Sequence, residues 1–474
     1  MTFETASIPK RTDESYFRIT ASGADRREID AGRFHSEGTA ETINLFARSF
    51  KEAIGRPVVA SAYYADFIHG HGINHSALKT LVSQPYLDGV VSVPEYGLFR
   101  TLGRPGCLNS LTGSLRLHNK FYLIELDHRS DYSYLAENLR NDYGVPKGDV
   151  GLMNQVRRDL GMSLCQSGGA WVYGLGGNNW WSANAIASLQ EARKAAEESA
   201  RQPLPSDHGQ LAVFCDEELP VFITSKENYG FYASVAGHYS ARNALNLSGL
   251  SWDGYLLSDV DNPARPRYKI NLFLSAASMS PEQIEWIEKN MQKNGNILVF
   301  VHAAGYSCGE NFSRNIRRLT GMNIVEKAGK EYRFDSLNAL FERTKGPLFV
   351  VEDETATPIT RLSGTDDVVI AVKRFPDWIS VYISLPGGFT PSMLRQIAGL
   401  AGIIPVGPEG DATYAGNGFM VIHARTSGEK TLRWKGKSTL VDIETGAVAA
   451  RNAEEYIFSM PAQTTKWFRR LPVK

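Results

Sequence analysis

Four short groups of chemically capable residues follow apolar runs in the first half of the chain. They are Tyr64-Ala65-Asp66, Pro94-Glu95-Tyr96, Glu125-Leu126-Asp127-His128-Arg129 and Gly176-Gly177-Asn178-Asn179-Trp180-Trp181. Carboxylates serve as acid, base or nucleophile, indole rings stack on sugar faces, and amides hydrogen-bond hydroxyls. Together these are the groups needed to hold and cleave a glycosidic bond. Glu125 is the sharpest position. It terminates Phe121-Tyr122-Leu123-Ile124, so a strand would hold its carboxylate, and Arg129 nearby would keep it ionised as a nucleophile requires. A structural ion pair of Glu125 with His128 or Arg129 accounts for the same residues equally well. The residues expected to touch substrate are Tyr64, Asp66, Glu95, Tyr96, Arg129, Asn178, Trp180 and Trp181, with one of the two tryptophans in the core. Trp171, inside its run, reads as core.

These groups need strands to position them, and the chain supplies alternating patterns. From about Phe34 to Ile54, apolar residues at helical spacing (Ile43, Phe46, Ala47, Phe50, Ile54) stop at Gly55. PVVASAYYADF, GVVSVPEYG, KFYLIELD and GGAWVYGL then read as strands, separated by helical stretches, so the spacing predicts α/β structure with a parallel sheet. In parallel α/β barrels the active site lies at the C-terminal strand ends, where the four groups fall. QPLPSD at 202–207 is a Pro-rich break. A second α/β series follows it, including QLAVFCD, YKINLFLSA, the helix SPEQIEWIEKNMQKNG and NILVFVHAAG. From about Pro405 short strands and Gly-containing turns predict a small all-β, sandwich-like domain. The expected domains are thus 1–202, 208–404 and 405–474.

The 474 residues carry 51 Lys+Arg against 51 Asp+Glu, with 43% hydrophobic and 22% charged residues. Those values exclude a disordered or fibrous chain, and the zero formal charge gives no global field for nucleic acid. No apolar run is long enough to span a membrane. The first thirty residues carry neither an apolar signal-peptide core nor hydrophobic periodicity, so the default localisation is cytoplasmic unless the start is truncated. Cys107, Cys165, Cys215 and Cys308 form no C-x-x-C pair, and the expectation is reduced, buried thiols.

The ordered segments PVVASAYY, HSALKTLVSQPYLDGVVSVPEYGLFR, LTGSLRLHNKFYLIELDHRSD and GAWVYGLGGNNWW resemble the second half of the catalytic barrel of glycoside hydrolase family 42. YKINLFLSAASMSPEQIEWIEKNMQKNGNILVFVHAAGY resembles that family's trimerisation domain, a glutamine-amidotransferase-like (flavodoxin-like) α/β fold, and the C-terminal β-domain fits the same plan. The resemblance covers nearly all of the chain from about Arg27. It implies a β-galactosidase-like retaining glycosidase with Glu125 as nucleophile, a carbohydrate substrate, no cofactor and a homotrimer. It also implies an acid/base Glu after Asn at the end of the fourth barrel strand, whereas PVVASAYY resembles the fifth. Glu4, Glu14, Glu28 and Glu37 are the upstream candidates, and none follows a strand-like run. A barrel needs eight strands, and four strand patterns precede the break. Three explanations remain open: an N-terminal half-barrel on another chain, a truncated coding sequence, or a degenerate non-catalytic sugar-binding or assembly protein.

Two other motifs carry weaker alternatives. Asp66, His69, His71 and His75 fit no standard zinc spacing, so no metal is expected. Cys308 in GYSCGEN follows a strand near His302, as a glutaminase nucleophile would, but no H-x-E pair occurs late in that segment, and an assembly role is the better reading.

Overall fold

The computed structural model describes residues 15–64, 75–130, 144–174, 182–201, 208–228, 233, 237–309, 311–333 and 343–472. In chain order its first elements are α1 (Gly23–Ile54), β1 (Ser61–Tyr63), α2 (Leu78–Ser83), β2 (Gly89–Ser92), α3 (Thr112–Leu117), β3 (Phe121–Leu126), α4 (Gly148–Cys165), β4 (Gly169–Val172) and α5 (Ala183–Arg201). Next come β5 (Leu211–Cys215), α6 (Leu219–Phe222), α7 (Gly237–Leu247), β6 (Trp252–Leu256), β7 (Ile270–Leu274), α8 (Pro281–Asn290), β8 (Asn296–Val301) and α9 (Phe312–Thr320). The rest are β9 (Ile324–Arg333), β10 (Arg343–Val351), β11 (Thr357–Arg361), β12 (Val368–Arg374), β13 (Trp378–Ile383), α10 (Pro391–Leu400), β14 (Ala412–Gly416), β15 (Phe419–His423), β16 (Gly428–Asp442), β17 (Val448–Met460) and β18 (Thr465–Pro472). These elements form two compact units that interleave along the chain. One contains Met1–Asp88, Ala212–Ala241 and Gly254–Gly388, and the other Gly89–Leu211, Arg242–Asp253 and Phe389–Lys474.

In the first unit, α1 begins earlier than its apolar pattern. Ser22 caps it by accepting from Asp25 N, and Gly55, at φ 65°, ends it with an N–H bond to Lys51 O. Its buried face is Ile29, Gly32, Ser36, Ala40, Asn44 and Ala47, mostly small or polar residues that leave no hydrophobic periodicity. Gly32 is needed there because a Cβ would come within 2.9 Å of Val221 on α6. Of the apolar set read from sequence, only Ala47 is buried, while Phe46 and Phe50 are 68% and 47% exposed.

The same unit holds a seven-stranded sheet in the order β11-β12-β13-β8-β7-β5-β6. β7, β8 and β13 run parallel, and β11 and β12 add an antiparallel margin. β5, β7 and β8 are apolar on both faces, as strands covered on both sides must be. Phe214, Phe273 and Phe300 stack across them at 4.9 and 5.0 Å.

In the second unit, β2, β3 and β4 form a parallel ladder that pairs Val91 with Leu123 and Glu125 with Trp171. Trp171 lies on the end strand and is 37% exposed, not buried as its run implied. The C-terminal strands form one five-stranded antiparallel sheet, β14-β15-β18-β16-β17, rather than two facing sheets. A bulge between Arg433 and Ser438 lets the long β16 pair with β17 over its whole length and with β18 over its second half. Met420, Ile422, Leu432, Leu440, Met460 and Phe468 fill the core of this sheet. α4 packs on its strands so closely that Gly161 leaves no room for a side chain against Val421.

Candidate active site

β3 carries Glu125 toward its C-terminal end, flanked by parallel neighbours on both sides. Its side chain is buried, and no described residue hydrogen-bonds its carboxyl. Burial raises its pKa to about 7, with the nearby Asp127 charge adding to the effect and Arg129 only partly opposing it. Arg129 therefore does not by itself hold Glu125 ionised. The structural alternative of a pair with His128 is not formed, because His128 Nε2 donates to Asp159 Oδ2 at 2.7 Å.

Around this strand end lies a set of buried ion pairs. Arg100 donates to Asp127 Oδ1 at 2.5 Å and lies over the Tyr96 ring at 3.8 Å, while the Tyr96 hydroxyl donates to Asp127 Oδ2 at 2.7 Å. Burial and the Asp127 charge push the Tyr96 phenol up to about 12. Arg242 on α7 donates to Glu95 Oε2 at 2.7 Å and to Asn109 Oδ1 at 2.6 Å, and the Tyr96 amide donates to Glu95 Oε1. Glu95 is thereby held in a buried pair. Asp159 also accepts from Arg158 Nε at 2.7 Å and Nη2 at 3.0 Å, and against the burial that opposes it the Arg158 charge holds its carboxyl well below the usual range. Gly106 leaves no room for a Cβ against that carboxylate.

Tyr64, in the first unit, is fully buried, accepts from Ala77 N at 3.0 Å and stacks on His75 at 4.6 Å. Arg129 is half-buried beside Glu125. Asp66, His69, His71, Asn178, Trp180 and Trp181 lie outside the described residues. Among the upstream carboxylates, Glu28 pairs with Arg18 at 2.8 Å and Glu37 is exposed on α1. Neither stands at a strand end, and Glu4 and Glu14 lie outside the described residues. Sequence reasoning missed Arg242 as a group that sets the field here. Arg242 lies 147 residues from Glu95, and no local pattern reports a pairing at that distance.

Elsewhere, the four cysteines are free, three of them buried. The residue after β8 with positive φ is His302, at 62°, whereas Cys308 is half-buried with its thiol raised by burial. The strained elbow that a glutaminase nucleophile requires thus carries a histidine. Among the described residues no group of three His, Cys, Asp or Glu could hold a metal, and no helix is long and apolar enough to cross a membrane.

No family model matches the sequence, and no curated protein matches it. Solved structures do match the fold. The β-galactosidase from Rahnella sp. R3 aligns with TM-score 0.65 at 12% identity, over 99% of this chain and 71% of that one. Gan42B, a GH42 β-galactosidase from G. stearothermophilus, gives 0.64 at 12% identity over 99% and 71%. The β-galactosidase from Bacillus circulans sp. alkalophilus gives 0.63 at 14% identity over 94% and 68%. With its parallel α/β sheets and its C-terminal antiparallel sheet, this chain has a GH42-like fold.

Proposed function

We propose that this chain is the C-terminal portion of a retaining β-glycosidase of β-galactosidase type, with Glu125 as nucleophile. The observation that carries this reading is a buried carboxyl at the end of a parallel strand, which no described side chain hydrogen-bonds, beside carboxylates that are all paired. Glu125 would attack the anomeric carbon as the glycosidic C–O bond breaks, and a glutamic acid outside this chain would protonate the departing oxygen. Water would then hydrolyse the resulting ester, returning the proton to that second carboxylate. A nucleophile must be ionised, and Glu125 is half-protonated near neutral pH as it stands. The missing barrel half would therefore supply donors to its carboxylate as well as the acid. Half of a (β/α)8 barrel, a flavodoxin-like assembly domain and a homotrimer complete this reading.

The test is co-expression of the full chain with an N-terminal half-barrel polypeptide, assayed on aryl β-galactosides. The reading expects turnover, abolished by Glu125→Ala, and a 2-deoxy-2-fluoroglycosyl adduct mapping to Glu125 by mass spectrometry. Undiminished turnover by the Ala variant would remove Glu125 from the mechanism. An inert complex that still binds galactose would instead identify a non-catalytic sugar-binding protein.

A further inference from the structure

In the first unit, a cleft of about 450 Å³ opens where the strand order of the seven-stranded sheet reverses. The chain passes from β5 to β6 on one side, then crosses to β7 on the other. In open α/β sheets, the crevice beyond the carboxyl ends of the strands at such a switch point is where ligands bind. The lining follows that rule. Asp216, Glu217 and Glu218 follow β5, Ser258 and Asp261 follow β6, and Ser278 and Ser280 follow β7.

Two of the lining side chains point to an occupant. Ser36 and Ser76 are 1% and 4% exposed, and neither hydroxyl has a hydrogen-bond partner among the described residues. A buried hydroxyl left unpaired is destabilising, and a hydroxyl or ammonium group in the cleft would relieve that penalty.

The charges specify the sign of that occupant. The two cations of the lining are already neutralised: Arg33 bonds Glu218 through two contacts at 2.6 and 2.7 Å, and Lys79 pairs with Asp259. Asp216 is occupied by Ser278, which donates from both its amide and its hydroxyl. Glu37, Asp261 and Glu282 are exposed on the rim, and none of them is in an ion pair with a described residue. Deeper in, Glu217 accepts from Lys79 N at 3.1 Å and from the Ser258 hydroxyl. Burial raises it to about 8, so at neutral pH it is largely an uncharged donor. The cleft therefore combines an anionic rim with a neutral, hydroxyl-rich floor, and no metal-holding group exists among the described residues.

We infer that this switch-point cleft binds a small hydroxylated amine, with the ammonium at the Glu37–Asp261 rim and hydroxyls on Ser36, Ser76 and Glu217. The site uses none of the Glu125 cluster and stands independently of the glycosidase reading. Isothermal titration of the full chain with glucosamine, N-acetylglucosamine and spermidine tests it. Glucosamine should bind at least about tenfold more tightly than its uncharged N-acetyl counterpart, a difference of about 1.4 kcal/mol. Glu37→Gln with Asp261→Asn should erase that preference while leaving thermal stability unchanged, because both side chains are exposed. Ser76→Ala should weaken glucosamine while leaving spermidine as it was. Equal binding of glucosamine and N-acetylglucosamine, or no binding of glucosamine, would overturn the inference. Spermidine binding as tightly as glucosamine, with no response to Ser76→Ala, would reduce the cleft to a nonspecific cation sink.

Discussion

A carboxyl held near pH 7 by burial has a thermodynamic consequence that can be measured without any substrate. Glu125 binds its proton more tightly in the folded chain than in the unfolded one, where the ordinary value is 4.5. The folded state therefore holds more protons between those values, and its stability falls as pH rises from about 4.5 to about 7. Glu125→Gln keeps the shape and cannot ionise. Its melting temperature relative to the parent should be lowest at pH 4 and rise with pH until about pH 7.5. A difference that does not vary with pH would show that Glu125 is solvated like a surface carboxylate. Glu95 is held differently, since its charge is matched by Arg242 in a pair with side chains only 8% and 3% exposed. Glu95→Ala leaves a buried guanidinium uncompensated, and about 3–5 kcal/mol should be lost in urea denaturation. Glu95→Met with Arg242→Met should recover most of that loss. If the double variant were as unstable as the single one, the damage would come from packing rather than from an unpaired charge. The same contrast explains what sequence could show of the site. Glu125 was legible because its whole supporting strand is contiguous, whereas Glu95 looked equally available until a helix 147 residues away took its charge.

At the scale of elements, parallel strands announce themselves because both faces are buried. KFYLIE, QLAVFC, INLFL and NILVFV all became β-strands where their apolar runs placed them. α1 was only half legible. Its inner face is made of glycine, serine, alanine and asparagine, which pack closely but carry no hydrophobic period, while its conspicuous phenylalanines face outward. A helix built this way is anchored through its small residues and leaves an apolar stripe exposed. In the glycosidase reading proposed above, an N-terminal half-barrel would cover that stripe. Two substitutions separate the faces. Gly32→Leu forces a side chain into Val221 and should cost about 1–3 kcal/mol. Phe46→Glu with Phe50→Glu should change stability by no more than about 0.5 kcal/mol, while abolishing capture of a co-expressed half-barrel in a pull-down. Capture unaffected by the two glutamates would mean that the stripe does not meet that partner.

For the whole molecule, two sets of buried groups pull stability in opposite directions with pH. Burial lowers His302 to about 4 and His423 to about 3, so both are neutral in the folded state and must gain a proton on acid unfolding. Their contribution is complete above the unfolded value of 6.5 and is lost as pH falls through the folded values. Asp216, raised to about 6, and Glu217, raised to about 8, act oppositely. Their contribution is complete below about pH 4 and is lost as pH rises. Between about pH 4.5 and 6.5 the slopes of these four groups oppose one another, which leaves the fall contributed by Glu125 as the net trend in that window. Above 6.5 the histidines no longer contribute, and Glu217 alone among these four continues to lose stability up to about pH 8, at a slope of at most about 1.4 kcal/mol per pH unit. Glu217→Gln should therefore flatten the alkaline limb of a urea-denaturation pH series and leave the acid limb intact. His302→Asn suits the left-handed backbone at that position. It should flatten the acid limb below pH 6.5 and leave the alkaline one alone. Variants that shift the whole curve without changing either slope would place these groups outside the titrations that govern unfolding.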